Sequence, residues 1–212
     1  MRKISFLLLL LFTSQCFAQS ADKGRINIYS GIGMGLLKAS TNLNLQRSES
    51  GVPRLFNLSF DYNTHNQVSL GLEMHNQNFI IEDSSDVDNM NSNMIGLTLK
   101  FHLLNREKSS AYIGTSVGGF NFEYKITDSL NNTGKVLAKG IYNMIYLGFN
   151  KYFGKVFGLY VKAGLLNQPM QMSNVIINGE ADTDWFYKDI DKIKMFMLGG
   201  FVNLGIVVKL NN

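Results

Sequence analysis

From Gly24 onward, apolar and polar residues alternate with a period of two, and a 3.6-residue period is hard to find. Ile26, Ile28, Ile32, Met34 and Leu36 alternate with Asn27, Tyr29, Gly31, Gly33 and Gly35. Ile95, Leu97, Leu99, Phe101 and Leu103 alternate with Gly96, Thr98, Lys100 and His102. The pattern predicts eight strands, over about 25–37, 54–62, 68–81, 93–104, 111–125, 141–153, 157–166 and 195–210. In the fifth, Phe120, Phe122 and Tyr124 fall on the polar face, which predicts a β-bulge at Gly118-Gly119.

The connections alternate in length. Those at about 38–53, 82–92, 126–140 and 167–194 are long, and those at about 63–67, 105–110 and 154–156 are short. The long ones collect the two prolines, Pro53 and Pro169, and most of the acids. A soluble sandwich or lipocalin-like barrel has no reason to lengthen every second loop. An up-and-down barrel crossing an outer membrane does, with short periplasmic turns and long external loops. Lys100 or Lys162 facing lipid at mid-depth would cost about 2–4 kcal/mol each. The apolar faces are therefore expected to point outward and the Gly, Ser, Tyr and charged faces inward. Tyr62, Phe101, Tyr112, Tyr152, Phe153 and Phe157 lie near the short turns and are expected to form a periplasmic aromatic girdle.

Composition agrees. Charged residues are 17% of the chain against roughly 25% in an ordinary soluble domain, and past the first residues no stretch is apolar for the length of a membrane-spanning helix. Met1-Arg2-Lys3, the apolar run Ile4 to Phe12 and Cys16-Phe17-Ala18 read as a secretory signal peptide over 1–18, leaving the barrel domain at 19–212. The net charge of +4 falls to +2 without Arg2 and Lys3, so no basic footprint for nucleic acid remains. The single cysteine, Cys16, goes with the leader, so the remaining chain is expected to carry neither disulfide nor thiolate chemistry.

The leader ending Cys16-Phe17-Ala18-Gln19, the Gly-alternating run Tyr29 to Gly35, the run Ala111 to Gly119 and the closing Val202 to Leu210 resemble the small eight-stranded outer-membrane barrels of Gram-negative bacteria, of OmpA/OmpX type. The resemblance spans residues 19–212 as a pattern rather than a fixed motif. It implies an all-β, antiparallel transmembrane barrel in the cell outer membrane, with lipid and lipopolysaccharide as its surroundings. Such families commonly end in an aromatic residue, whereas this chain ends Lys209-Leu210-Asn211-Asn212.

Candidate chemistry falls in two places. Asp61, Glu73, His75, Lys100, His102 and Lys162 lie on inward faces, in a lumen that eight strands leave only wide enough for side chains. They are expected to form a buried polar network that plugs the barrel, with a Glu73–Lys100 pair across neighbouring strands. An ion pathway is the functional alternative. Nine of the sixteen acids cluster in two external loops, among them Asp83, Asp86, Asp88, Asp182 and Asp184. Solvated loops are the expectation there, although oxygen ligands would also suit a divalent cation at lipopolysaccharide phosphates. Trp185-Phe186-Tyr187 are expected to anchor at the interface or meet a partner. The expected role is non-enzymatic, without a cofactor, either structural or in surface interaction with an extracellular or envelope partner. The alternatives are a lipid-modifying barrel enzyme, drawing on His75 or His102 with Ser84, Ser85 or Asp83, and a small porin. His102 lies near the periplasmic end and Ser84 outside, so those two cannot meet. Gly31 to Gly35 superficially resembles a phosphate-binding run but precedes no helix, so packing beside large side chains explains it better.

Overall fold

The computed structural model describes residues 23–41, 50–80, 87–127, 133–181 and 194–210. Eight long strands, β1 (Ile26–Thr41), β2 (Ser50–His65), β3 (Val68–Ile80), β4 (Val87–Arg106), β5 (Ser109–Thr127), β6 (Thr133–Tyr152), β7 (Phe157–Ile177) and β9 (Lys194–Leu210), each pair antiparallel with both neighbours. The β6–β7 and β1–β9 pairings complete the ring, so none of these strands has a free edge. The two-residue strand β8 (Glu180–Ala181) folds back on the outer end of β7. Asn178 and Gly179 form this turn with φ of 50° and 89°, the positive pair that a tight Asn-Gly hairpin needs.

The register fixes the tilt. Following cross-strand partners once around from Met94 leads through His75, Asn57, Gly31, Gly205, Tyr160, Asn150 and Ser110 to Asn105. The walk ends eleven residues further along β4, one of them absorbed by the irregularity between His102 and Leu104. A shear of ten residues over eight strands tilts the strands by about 40°.

Between the turns and the middle of each strand, apolar side chains face out and polar ones face in. Leu97 is 64% exposed, and Leu99, Phe101, Leu147, Leu159 and Leu204 are exposed beside it, whereas Lys100 and Glu73 are 2% and 0% exposed. The expected orientation holds. Tyr62, Phe101, Phe153 and Phe157 face out as expected of a girdle. Tyr112 and Tyr152 correct that expectation, because both are buried in the lumen. Tyr112 lies against its register partner Gly148, where an added Cβ would run into the phenol ring.

Further out, both faces change character. The outward face passes from Leu36 to Lys38, Phe56 to Arg54, Met74 to Asn76, Ile95 to Asn93, Ile141 to Lys139, Leu165 to Asn167 and Phe196 to Lys194. The inward face passes from Ser116 to Phe120 and Phe122, from Thr98 to Met94, from Asn203 to Phe201 and Met197, and from Asn57 to Leu55. These inner residues join Leu37, Met144, Leu166 and Met170 in one buried apolar cluster. The outer part of the barrel is thus a collar with the polarity of a soluble protein.

The collar overturns the expected bulge in β5. The register runs unbroken through Gly118 and Gly119 to both neighbours, and Phe120 and Phe122 stay in phase with Ser116. They are apolar and inward because the strand has left the membrane by that point. The collar also accounts for strand lengths of 20 in β4 and β6 and 21 in β7, longer than the alternation alone predicts. Pro53 and Pro169, expected in loops, sit within β2 and β7, in register with Phe79 and Phe196.

The inversion makes a graded prediction. Leu97→Arg is expected to lower unfolding free energy by about 2–4 kcal/mol in phospholipid vesicles, and Asn121→Arg, above the apolar belt, by less than about 1 kcal/mol. Denaturant titration of the two variants checks it; equal losses would place the membrane boundary wrongly.

Candidate functional site

The inward faces of the membrane-spanning segments converge on a layered polar interior. Nearest the short turns is an amide and hydroxyl layer. Ser69 Oγ donates to Asn63 Oδ1 at 2.8 Å, and Asn27 Nδ2 donates to the same oxygen at 3.1 Å. His102 places Nε2 2.7 Å from Ser69 Oγ and Nδ1 3.2 Å from Ser110 Oγ. Because the Ser69 proton goes to Asn63, the arrangement suits an imidazole that donates from Nε2 to Ser69 and accepts from Ser110 at Nδ1. Lys209 Nζ donates to the Glu107 carbonyl at 3.1 Å and lies 3.4 Å from the centre of the Tyr152 ring.

The next layer outward is ionic. Lys100 Nζ lies 2.5 Å from Asp61 Oδ2, with both side chains at most 2% exposed. The same ammonium sits 3.8 Å from the centre of the Tyr29 ring and 4.9 Å from that of Tyr112, so two aromatic faces and one carboxylate replace its water. Asp61 is on β2 and Lys100 on β4, and the side-chain-free Gly71 of β3 lies beside Asp61 in register. A Cβ at Gly71 would press on Asp61 Oδ1, so glycine keeps open the approach between the strands.

Above this pair, Lys162 Nζ reaches across the lumen from β7 to Glu73 Oε2 at 3.4 Å, and His75 Nε2 lies 3.2 Å from Glu73 Oε1. Tyr160 donates toward Asn203 Oδ1 at 2.6 Å and also contacts Asn57 Oδ1, and the Thr98 and Tyr146 hydroxyls are 2.7 Å apart. Gln168 Nε2, 3.1 Å from Gln77 Oε1 and 3.2 Å from Met94 Sδ, marks the transition to the apolar collar.

All six inward site residues are buried, as the alternation implies, but their partners differ from the expectation. Glu73 and Lys100 do not pair. The register sets Lys100 against Ser69 and Glu73 against Gly96, four residues apart along the strand, or about 13 Å. Counting from the turns misses this because adjoining strands are staggered. Lys100 takes Asp61 instead, and Glu73 takes Lys162. Sequence reasoning also missed Tyr29, Asn57, Tyr146, Tyr160 and Asn203 as members of the network, though all lie in the inward phase of their strands.

Of the acidic loop residues, Asp83, Asp86, Asp182 and Asp184 lie outside the described residues, as do Ser84, Ser85 and Trp185-Phe186-Tyr187; Asp88 is at the outer end of β4. On the outside of the collar, Glu123 lies 2.8 Å from Lys135 and 3.5 Å from Lys125, and the hydrogen bond from Lys135 holds its carboxyl below the usual range. Asn76 Nδ2 donates to Asn93 Oδ1 at 2.8 Å, and Asn78 Nδ2 donates to Asn76 Oδ1 at 2.6 Å.

No protein-family model and no curated protein matches the chain. Among solved structures, it is similar to outer membrane protein OprG of Pseudomonas aeruginosa, with TM-score 0.54 and 14% identity, over 90% of this chain and 97% of that one. It is similar also to Ail, the attachment invasion locus protein of Yersinia pestis, in complex with the heparin analogue sucrose octasulfate, with TM-score 0.52 and 14% identity, over 89% and 99%. At that identity the likeness is one of fold. The chain has the fold of the small outer-membrane β-barrels.

The ion pairs predict distinct mutational outcomes. Lys100→Met, which strands the Asp61 carboxylate, is expected to cost about 3–5 kcal/mol of unfolding free energy, and Asp61→Leu added to it to restore most of the loss. Double-mutant cycles are expected to show stronger coupling for Glu73 with Lys162 than for Glu73 with Lys100; the reverse order would refute the register-based pairing.

Proposed function

We propose that this protein is an integral, non-enzymatic barrel of the cell outer membrane, with a lumen closed by its own side chains and a role exercised through its outer face. One observation carries the reading: the interior is filled from the turns to the collar, first by paired charges and aromatic rings and then by a Met- and Phe-rich core. A porin needs a continuous aqueous lining. Here Lys100, Asp61, Glu73 and Lys162 neutralise one another across the bore instead of lining a path through it.

The lipid-modifying enzyme is less well supported. A site acting on lipid must open toward the bilayer or its head groups, yet His75 and His102 both point into the lumen. Among the described residues, the His102 ring is hydrogen-bonded to two serines rather than oriented by a carboxylate. The proposed surroundings are outer-leaflet lipid and lipopolysaccharide. The apolar belt meets the acyl chains, and the amides and cations above it, Asn76, Asn93, Lys38, Arg54 and Lys139, stand at the height of the head groups. Ail is described in complex with a polysulfated sugar. A polyanionic head group or an envelope partner would find cations and amides on the outer part of this barrel, Lys38, Arg54 and Lys139 among them.

The purified protein is expected to give no large, stable single-channel steps in planar bilayers and to fractionate with the outer membrane in a form whose gel mobility changes on heating. Sustained conductance would overturn the closed lumen. A change in the lipid A mass spectrum on deleting the gene would overturn the non-enzymatic reading.

A further inference from the structure

The outward charges at the short-turn end are gathered on one side of the barrel. Arg106 of β4, Ser109 of β5, Lys151 of β6 and Leu159 of β7 stand in one outward-facing row, joined by register. Lys108 lies in the β4–β5 turn and Lys155 in the β6–β7 turn, and all four cations are exposed. Glu107 is the only exposed acid at this end among the described residues, so the patch carries an excess of three positive charges. On the other side of the barrel the corresponding row is Leu210, Ile26, Tyr62 and Leu70, in register and without a charge.

The backbone holds the patch in place. Tyr152 N donates to the Lys108 carbonyl at 2.9 Å, which carries the β5–β6 ladder into the turn, and Phe153 N donates to the Phe157 carbonyl at 2.8 Å across the next turn. From inside the barrel, Lys209 Nζ holds the Glu107 carbonyl at 3.1 Å. Adjacent strands lie about 4.8 Å apart, so Arg106 and Lys151 leave the wall about 10 Å apart, within reach of one shared anion.

Toward the middle of the membrane the next row is Leu104, Ala111, Phe149 and Val161, again in register, and Phe153 and Phe157 are exposed beside the β6–β7 turn. No charge interrupts the step from cations to apolar wall. The arrangement matches an amphiphile, with an anionic group level with the cations and acyl chains against the wall. A soluble anion would use the cations and leave the wall unused. A zwitterionic head group would bring its own ammonium into a patch that is already positive. Long basic side chains at the edge of an apolar belt reach to head-group height, where they attract anionic lipid.

We propose that this side of the barrel is a binding site for an anionic phospholipid of the leaflet at the short turns. Its phosphate is held by Lys108, Lys151, Lys155 and Arg106, and its acyl chains lie on Leu104, Phe149 and Leu159. The site is separate from the lumen and does not depend on the lumen being closed.

Native mass spectrometry of the full barrel, released from detergent micelles doped equally with phosphatidylglycerol and phosphatidylcholine, tests this by counting retained lipid. A basic residue near an anionic surface is worth about a fivefold change in binding. Phosphatidylglycerol is expected to be retained over phosphatidylcholine by at least about fivefold, and to stay bound in millimolar inorganic phosphate. The triple variant Lys108→Gln, Lys151→Gln, Lys155→Gln is expected to lose the preference. The double variant Lys38→Gln, Lys139→Gln, altered at the opposite end of the barrel, is expected to keep it; heat-dependent gel mobility checks that both are folded. Equal retention of the two lipids, or a preference that survives in the triple variant, would overturn the site. Displacement by phosphate would overturn a lipid as its occupant, and equal losses in the two variants would overturn its location.

Discussion

The wall of this barrel is a single sheet thick, so each side chain answers to whatever lies on its own side of the wall. Closing the ring removes the backbone from the question, because each of the eight long strands finds its hydrogen bonds in two neighbours. What remains is a matching of side chains to two media, lumen and surroundings, at every height. Where the surroundings are acyl chains, Leu and Ile face out and the polar residues must turn inward. Where the surroundings become water and head groups, the outward face becomes Asn and Lys, and the inward face is released to build an ordinary apolar core. The inversion of both faces at the same part of every strand is one event seen from two sides.

That constraint orders the interior. Polar residues forced inward by the membrane cannot be left unpaired, since a lone buried charge costs far more than a paired one returns. Lys100 and Lys162 are each met by a carboxylate and by at least one aromatic face, so these four ionic side chains cancel one another's charge. The collar above needs no such pairing, and among the described residues its core cluster is apolar. The paired polar side chains of the lumen thus follow from the folding problem itself.

Strand number, strand direction, the outward face and the burial of Asp61, Glu73, His75, Lys100, His102 and Lys162 were all legible in the alternation. Period two fixes which residues share a face, and the outward cost of a lysine decides which face is which. The collar was not legible in the same way, because alternation reports a difference between two faces without saying which medium each meets. Phe120 and Phe122 therefore looked like a phase error although the strand never broke phase. The Asn178-Gly179 hairpin was readable from its dipeptide, but the long interval between segments seven and eight concealed it. The pairings inside the lumen depend on register, and turn positions alone do not supply register in a staggered sheet.

The stagger explains why the ion pairs skip strands. A shear of ten residues over eight strands shifts equal heights by about one and a quarter residues per strand. Lys100 meets Ser69 in register on β3 and, through it, Asn63 on β2. The β2 residue level with Lys100 should therefore lie two or three positions outward of Asn63. With alternate residues facing in, that position is Asp61, the carboxylate the lysine in fact engages. The same tilt separates Glu73 from Lys100 and leaves it facing the lysine of β7 across the bore. Side-chain chemistry selects which residues must pair, and the geometry of closure selects with whom.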